Sequence, residues 1–287
     1  MKFVIVGAPK TENTRDLIDE IKTRGHDVAT VRPVDFVFKV SKNELQILCN
    51  GLDLLEFDIF LLRGFTVRLM ETQILTEKLI SMGKTVVDET VGKTFFMSKM
   101  FEASRLTRAG LNYPKTFQIL DFSSFESIKD QVEYPIIVKP AQGQKGQGIE
   151  KCEKEVELVS LLKREDQKLL VQEFLPIEGD LRVFVVGDEV LGAMMRFVPE
   201  DDFRSNASLG AKAEQVELTD EIKDIAIKAT KAMDLEIAGV DLAEAHGKWF
   251  VFEANFTPQW QKFNEVTGIN PAKNIIDYAI NKHEHGK

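Results

Sequence analysis

The stretch GVDLAEAHGKWFVFEAN, residues Gly239–Asn255, constrains the fold of this 287-residue chain more than any other. Two apolar runs rich in strand-forming residues, Glu236–Ala243 and Lys248–Ala254, stand on either side of a short turn at His246-Gly247. Strand-like runs separated by a short turn that contains glycine are typical of a β-hairpin. We therefore expect two paired antiparallel strands here.

Three oxygen-bearing side chains lie on the predicted hairpin: Asp241, Glu253 and Asn255. Glu253 and Asn255 are two residues apart, so they point to the same face of their strand, which Asp241 can reach from the paired strand. Two carboxylates and an amide suit a hard cation such as Mg²⁺, which fills its other positions with water and phosphate oxygens. The alternative is the common alternation of acidic and apolar residues on a half-exposed strand.

The overall composition is that of a globular protein, with 44% hydrophobic and 29% charged residues. A net charge of −9 argues against broad nucleic-acid binding, which needs a basic face. Two cysteines, Cys49 and Cys152, are too few for a disulfide framework and favour a reducing compartment. The chain opens on an apolar strand without a signal-peptide pattern, and no apolar run is long enough to span a membrane. We therefore expect a soluble cytoplasmic protein.

The first segment, residues 1–91, is predicted to be a small parallel α/β domain. A strand at Lys2–Gly7, a helix at Asn13–Arg24 and a strand at His26–Val31 form a β-α-β pattern. A dinucleotide site would need the pattern G-x-G-x-x-G between the first strand and the helix, but only Gly7 stands there. This opening is therefore expected to be structural.

A lysine near the end of an apolar strand comes directly before a glycine-rich loop. The predicted strand Tyr134–Pro140 carries Lys139, and the loop contains Gly143, Gly146 and Gly148. A buried lysine needs an anionic partner, and glycines let backbone N–H groups approach an anion. The loop is not a P-loop, because no Gly-Lys-Ser/Thr follows and a strand comes next. A flexible hairpin turn is the alternative, but Lys139 favours a phosphate.

Further periodic segments complete the prediction for the second half of the chain. We expect one helix over Gly92–Ala109, a strand at Lys168–Phe174, and a hairpin of Asp180–Gly187 with Glu189–Phe197. Apolar residues at helical spacing predict a helix over Asp220–Met233.

Several arginines interrupt the second hairpin or follow it. For Arg182 a surface salt bridge with Asp180 on the same face is the simplest explanation. For Arg196 and for Arg204, with Asn206 beside it, contact with an oxyanion or a carboxylate is at least as plausible.

These features stand in the order that characterises the ATP-grasp superfamily, and the chain resembles its RimK-like ligases from about Lys93 to its last helix. The resemblance implies the ATP-grasp fold of the α/β (α+β) class. In that fold the N-terminal domain is followed by two α+β subdomains that clasp ATP, here residues 92–172 with a glycine-rich lid and residues 173–287 with the metal site. The motifs that carry the resemblance are VKP (138–140), QGQKGQG (142–148), VQEF (171–174), DLRVFVVG (180–187), FRSN (203–206), IAGVDL (237–242) and FEAN (252–255).

The resemblance also assigns roles to the candidate residues. Arg196 would stabilise an acyl phosphate or a tetrahedral oxyanion, and we group Arg204 with it as catalytic. The other implied roles are phosphate binding for Lys99, Lys139, Arg204 and Asn206, the lid for Gly143, Gly146 and Gly148, the adenine hinge for Glu173 and Phe174, ribose contact for Asp180, and magnesium ligation for Asp241, Glu253 and Asn255.

The implied activity is carboxylate–amine ligation with ATP and two Mg²⁺ ions, with Mn²⁺ as a substitute. ATP phosphorylates a carboxylate, and an amine then attacks the acyl phosphate to give an amide, ADP and phosphate. The substrates would be amino acids, peptides or a protein terminus, and the enzyme a homo-oligomer. Two alternatives are a non-catalytic ATP-binding sensor of the same fold and a kinase that releases the acyl phosphate.

The chain departs from the RimK-like pattern at two places. Gly210-Ala211 stands where these ligases have Gly-Gly, and NFTPQWQKF, residues 255–263, replaces a turn of small residues. We expect Trp260 and Phe263 to add bulk beside the acceptor pocket, and therefore a preference for hydrophobic acceptors over the glutamate that the family usually adds.

Overall fold

The computed structural model describes residues 1–94, 98–141, 148–164, 168–199 and 212–286. Within these residues the strands form four sheets. The elements of the N-terminal part are β1 (Lys2–Val6), α1 (Glu12–Thr23), β2 (Asp27–Val31), β3 (Phe36–Ser41), β4 (Glu44–Cys49), β5 (Leu52–Asp53), β6 (Ile59–Leu62), α2 (Leu69–Ser81) and β7 (Thr85–Val87).

The N-terminal part is built on a parallel sheet with the strand order β2-β1-β6-β7. Strand β6 is buried along its whole length, as expected for a strand covered on both faces. Helix α1 begins after Thr11, whose side chain accepts a hydrogen bond from the Thr14 N–H, and it buries Leu17 and Ile21. The predicted β-α-β opening is therefore confirmed. Strands β3, β4 and β5 form a separate small sheet.

The single helix predicted over Gly92–Ala109 is wrong, because the structure has two shorter helices, α3 (Thr90–Thr94) and α4 (Lys99–Arg108). Ser98 has an extended backbone, and its side chain accepts a hydrogen bond from the Phe101 N–H. A serine in this conformation caps a helix N-terminus, so α4 starts anew at Lys99.

The middle of the chain forms an antiparallel sheet with its own hydrophobic core. Its elements are β8 (Thr116–Ile119), α5 (Phe122–Glu126), β9 (Ile136–Pro140), β10 (Glu150–Cys152), α6 (Glu155–Arg164) and β11 (Leu169–Glu173). The strand order is β10-β9-β11-β8. Phe125 of α5 and Leu158 of α6 pack against one face of this sheet, next to Val138 and Val171.

The C-terminal part forms a five-stranded antiparallel sheet with the order β14-β13-β12-β15-β16. Both predicted hairpins are confirmed, and the turn of the second one places His246 and Gly247 at φ values of +53° and +70°. The elements are β12 (Gly179–Val186), β13 (Glu189–Phe197), β14 (Ala213–Val216), α7 (Asp220–Ala232), β15 (Ile237–Ala245), β16 (Lys248–Asn255), α8 (Gln261–Thr267) and α9 (Ala272–His285).

The N-terminal and C-terminal sheets share hydrophobic cores. Phe3 and Leu17 belong to the same buried cluster as Phe184 of β12 and Ile275 and Ile276 of α9. The hairpin β15–β16 is thereby attached to the N-terminal sheet, whereas the middle sheet packs on a core of its own. Among the described residues, no helix combines the length and apolarity that crossing a membrane requires.

Candidate active site

The hairpin β15–β16 brings the three predicted metal ligands together. Asp241 is directly opposite Glu253, and Gly239 is opposite Asn255. The register shifts between Asp241 and Leu242, so β16 carries a bulge at Phe252 just before the two ligands. Bulges commonly redirect side chains next to active sites. The predicted placement of three oxygen donors at one end of a rigid hairpin is confirmed, and metal ligation stays a prediction.

Asp241 lies in a buried cluster of arginines and carboxylates. Arg182 binds Asp241 through two hydrogen bonds, one of 2.9 Å between Nη2 and Oδ2. Arg196 binds Asp180 through two bonds, and its Nη2 also lies 3.0 Å from Asp241 Oδ1. The prediction of a surface salt bridge between Arg182 and Asp180 is therefore wrong, because Arg182 is buried and faces Asp241 across the β12–β15 pair.

Electrostatics keep the Asp241 carboxylate ionised despite its burial. Burial alone would raise the pKa of Asp241, but the charges and hydrogen bonds of Arg182 and Arg196 outweigh it and lower that pKa below its ordinary value. Removal from water costs less when a buried charge is paired and hydrogen-bonded. Asp241 is thus a permanent anion at the base of the site.

Lys99 contacts this hairpin, and Lys139 lies near enough to be influenced by the charges of Lys99 and Glu253, while phosphate binding by both stays a prediction. The Nζ atom of Lys99, the first residue of α4, lies 3.7 Å from Glu253 Oε1. Lys139 on β9 is buried, and its Nζ donates to Gln172 Oε1 over 2.9 Å. Burial and the charge of Lys99 lower the pKa of Lys139 to about 8. Among the described residues this ammonium donates to a neutral acceptor, the Gln172 amide oxygen, which leaves it suited to an anionic ligand.

One carboxylate of the site, that of Glu102, was not predicted from the sequence. Glu102 on α4 is 7% exposed, and its Oε1 accepts a hydrogen bond of 2.6 Å from the Ala254 N–H. Burial, followed by the negative charge of Glu253, raises the pKa of Glu102 to about 7. The residue stands one helical turn after Lys99, and this spacing was the available signal, since residues three apart share a helix face.

The predicted adenine hinge lies at the end of β11, with Glu173 as the last residue of the strand and Phe174 directly after it. Glu173 Oε1 accepts a hydrogen bond of 2.7 Å from the Lys115 N–H, and the Glu173 N–H donates to Lys115 O over 2.9 Å. The Nζ atom of Lys151 lies 4.2 Å from the centre of the Phe174 ring. The side chain of Glu173 is thus fixed by backbone, and one face of the Phe174 ring is covered by a cation.

Four of the predicted residues lie outside the described part of the chain: Gly143, Gly146, Arg204 and Asn206. Gly148, the last glycine of the predicted loop, is described and has a φ of +69°. A Cβ atom there would lie 3.0 Å from Pro140 Cγ, so this position favours glycine for both its backbone and its space.

The expectation that Trp260 and Phe263 add bulk beside an acceptor pocket is wrong. Both side chains are 0% exposed and pack against the ring of Phe184 in the core between the two sheets. The indole Nε1 of Trp260 donates to Asp16 Oδ2 over 2.8 Å, which ties this segment to helix α1. The bulk that departs from the family pattern therefore serves packing, and the predicted preference for hydrophobic acceptors loses its basis.

The donor set fits a divalent cation of the magnesium type. Within the described residues, no group of three or more acidic, histidine or cysteine side chains forms a metal cluster, so the candidate set is two carboxylates and one amide. Oxygen donors in small number, with phosphates and water completing the shell, are characteristic of Mg²⁺. Here Glu253 faces Lys99, and Asp241 faces two arginines. A metal would therefore replace Lys99 at Glu253 and would share the Asp241 carboxylate with the arginines.

Comparison with known proteins places these features in a family. The model of the RimK-like ATP-grasp domain matches residues 98–279. A protein of Nitrosococcus oceani named probable alpha-L-glutamate ligase is 30% identical over 295 residues, which cover 100% of this chain and 98% of that protein.

Solved structures show the same fold. The ATP-grasp ligase PsnB, complexed with a minimal precursor, Mg and ADP, superposes with a TM-score of 0.76 at 19% identity and covers 99% of this chain and 98% of its own. The D-cycloserine synthetase DcsG gives a TM-score of 0.71 at 13% identity, with 100% of both chains covered. The α/β (α+β) ATP-grasp fold expected from the sequence is thereby confirmed.

Proposed function

The chain belongs to the RimK-like ATP-grasp family, and we propose that it is an ATP- and Mg²⁺-dependent ligase that joins a carboxylate to an amine through an acyl phosphate. The observation that carries the proposal is the pairing of Asp241 with Glu253 across the hairpin, with Lys99 3.7 Å from Glu253 and the ammonium of Lys139 nearby. Oxygen donors beside lysine ammonium groups are what a metal–triphosphate complex requires.

The lysines and the hairpin would act mainly by position and charge. Mg²⁺ bound at Asp241, Glu253 and Asn255 would neutralise charge that develops on the phosphate oxygens. Lys99 and Lys139 would hold the phosphates from the other side. These roles need no protein nucleophile, in agreement with a transfer that depends on positioning and electrostatic stabilisation.

Arg196 would bind the acyl phosphate or the tetrahedral oxyanion. In the structure its guanidinium is engaged by Asp180 and Asp241, which supports a fixed orientation. We group Arg204 with it in catalysis, and Asn206 with the phosphate contacts. Arg196 already binds Asp180, so Asp180 would have to contact the ribose while it keeps its hydrogen bonds to Arg196.

The nucleotide would lie between the middle sheet and the C-terminal sheet. We propose three units, residues 1–91, 92–172 and 173–287, with the adenine at Glu173 and Phe174 and the loop of Gly143, Gly146 and Gly148 as a lid. The separate hydrophobic core of the middle sheet supports a middle unit. For the adenine to stack on Phe174, Lys151 would move off the ring or the adenine would take its other face.

The relatives indicate the class of substrate. The Nitrosococcus protein is named a glutamate ligase, and PsnB was solved with a precursor. We propose that this chain acts on an amino acid, a peptide or a protein terminus, as a homo-oligomer in the reducing cytoplasm, with two Mg²⁺ ions that Mn²⁺ can replace. Names that state a ligase activity favour catalysis over a sensor role.

A screen for ADP release tests the proposal. Amino acids and peptides are offered as carboxylate donor and amine acceptor, and product masses are recorded. Formation of ADP that needs both substrates, with an amide product, is the expected result; ADP release without an amine would indicate a kinase instead.

The variant Glu253→Gln tests the metal site in the same screen. The Glu253 side chain is 41% exposed, so the variant is expected to fold normally while it loses activity. Glu244→Gln is the matched control, because Glu244 is exposed on the same hairpin away from the ligands. Full activity in Glu253→Gln would contradict the proposed metal site.

A further inference from the structure

The outer edge of the metal-site hairpin is closed by helix α4 and the residues after it. Among the described strands, β16 is the last of its sheet, and none of them pairs with its outward backbone groups. Asn112 satisfies two of these backbone groups. Its backbone O accepts from the Val251 N–H over 2.9 Å, and its Nδ2 donates to Trp249 O over 3.0 Å. Glu102 Oε1 continues the row with its 2.6 Å bond from the Ala254 N–H.

The hydrogen bond to Glu102 comes from the part of β16 that carries the predicted metal ligands. Ala254 is the residue between the predicted ligands Glu253 and Asn255, directly after the bulge. A bulge leaves the local backbone without its regular ladder, so the direction of the next side chains depends on other contacts. A fixed acceptor for the Ala254 N–H therefore sets the direction of the ligands on both sides.

Burial makes this hydrogen bond hard to replace by water. Glu102 is 7% exposed and Ala254 is 3% exposed. Without the carboxylate, the Ala254 N–H would be a buried donor with no acceptor, and the strand edge would have to move to satisfy it. The same helix carries Lys99, so α4 contacts the hairpin twice, once at Glu253 and once at Ala254.

We propose that Glu102 is a positioning residue of the metal site. Its carboxylate holds the Ala254 N–H so that Glu253 and Asn255 present their oxygens to the Mg²⁺ ion that accompanies the nucleotide. It also fixes the distance between this strand and Lys99. The inference rests on the proposed function and adds to it a residue outside the predicted ligand set.

Calorimetric binding of ADP tests the inference, with and without Mg²⁺, in the wild type, Glu102→Ala and Glu102→Gln. Loss of a group that orients metal ligands typically weakens metal affinity about 10- to 100-fold, and we expect a loss of this size for Mg²⁺·ADP in Glu102→Ala. Binding of metal-free ADP should change by less than about threefold, because the lysines remain. Glutamine keeps an oxygen acceptor without the charge, so Glu102→Gln should bind like the wild type.

A matched control separates this role from the general loss of a glutamate. Glu157 on α6 also accepts a backbone hydrogen bond, of 2.7 Å from the Glu153 N–H, but it lies on the middle unit outside the site. Glu157→Ala should leave both affinities unchanged. If Glu102→Ala does not fold, Glu102→Asp takes its place, because the shorter side chain keeps the charge and withdraws the acceptor.

The outcomes are distinct. Equal losses in Glu102→Ala and Glu102→Gln would show that charge and not the hydrogen bond matters, and would overturn the inference. Wild-type affinity for Mg²⁺·ADP in Glu102→Ala would overturn it as well, while the proposed function stands. Absence of Mg²⁺·ADP binding in the wild type would overturn both.

Discussion

Lys139 is expected to take up a proton when nucleotide phosphates bind. Burial, followed by the charge of Lys99, lowers the pKa of Lys139 to about 8 from an ordinary value of 10.5. The difference of about 2.5 between these pKa values corresponds to roughly 3 kcal/mol in favour of the neutral amine. At about pH 9, roughly nine-tenths of the unliganded protein therefore carries neutral Lys139. A phosphate beside Nζ favours the ammonium, so binding should raise the pKa again.

Calorimetry in buffers of different ionisation enthalpy measures this proton directly. With Mg²⁺·ADP we expect uptake of about 0.9 proton per site at about pH 9, whereas Lys139 should contribute close to none at about pH 6.5, where it is already charged. The carboxyl of Glu102 has its pKa raised to about 7, so it is ionised at the higher pH and does not disturb the count.

The variant Lys139→Met is the control, because methionine fills similar space without an ionisable group. It should show no proton uptake at the higher pH and weaker binding at the lower one. Buffer-independent heats for the wild type at the higher pH, or equal proton uptake in Lys139→Met, would contradict the prediction. Lys139 would then not be a neutral amine that gains its proton when the phosphates bind.

Three further results are expected. Asp241→Asn removes one partner of a buried ion-pair cluster and should lower the free energy of unfolding by about 3–5 kcal/mol in urea denaturation, besides abolishing Mg²⁺ binding. Burial raises the pKa of Asp88 to about 6 despite its ion pair with Arg63, so the native state keeps a proton that the unfolded chain loses near its ordinary pKa of 3.8. The free energy of unfolding of the wild type relative to Asp88→Asn should therefore fall as the pH rises from about 4 to about 6, and parallel urea midpoints across that range would contradict this. Trp260→Ala should destabilise the fold by about 3–5 kcal/mol in the same assay, yet leave the KM for the amine unchanged, because the side chain has no exposed surface.

The hairpin and its oxygen donors could be predicted because their signals are local. A period of two along the strand places Glu253 and Asn255 on one face, and the glycine turn fixes the pairing with Asp241. The burial of Lys139 could be predicted for a similar reason, since it stands in an apolar strand, and its phosphate contact stays a prediction. Each of these inferences needs only a short segment of sequence.

The partners of the arginines could not be predicted in the same way. Arg182 faces Asp241 because β12 pairs with β15, and Arg196 faces Asp180 because β12 pairs with β13. The first pairing joins strands far apart in the chain, so proximity in sequence pointed to the wrong carboxylate. Sheet order is decided by tertiary packing, which a single strand pattern does not encode.

The remaining errors concern two residues, Trp260 and Glu102, whose burial the sequence does not indicate. Trp260 has the size and amphipathic character of a pocket residue, and nothing in its neighbourhood in sequence indicates that Phe184 and helix α1 enclose it. Glu102 is the opposite case, a residue whose type suggests exposure but which is buried. A glutamate in an amphipathic helix is usually solvated, and only the contact with the edge of β16 makes Glu102 a buried acceptor.

The charge balance of the candidate site bears on the number of metal ions. Among the described residues, the site has cations and carboxylates in equal number: Lys99, Lys139, Arg182 and Arg196 against Glu102, Asp180, Asp241 and Glu253. A triphosphate with about four negative charges would leave a large net charge beside these partly buried groups, which is costly. Two divalent cations carry four positive charges, enough to compensate a triphosphate at these eight side chains. Arg204, in the phosphate contact that we propose for it, would supply one further positive charge and so take over part of that compensation.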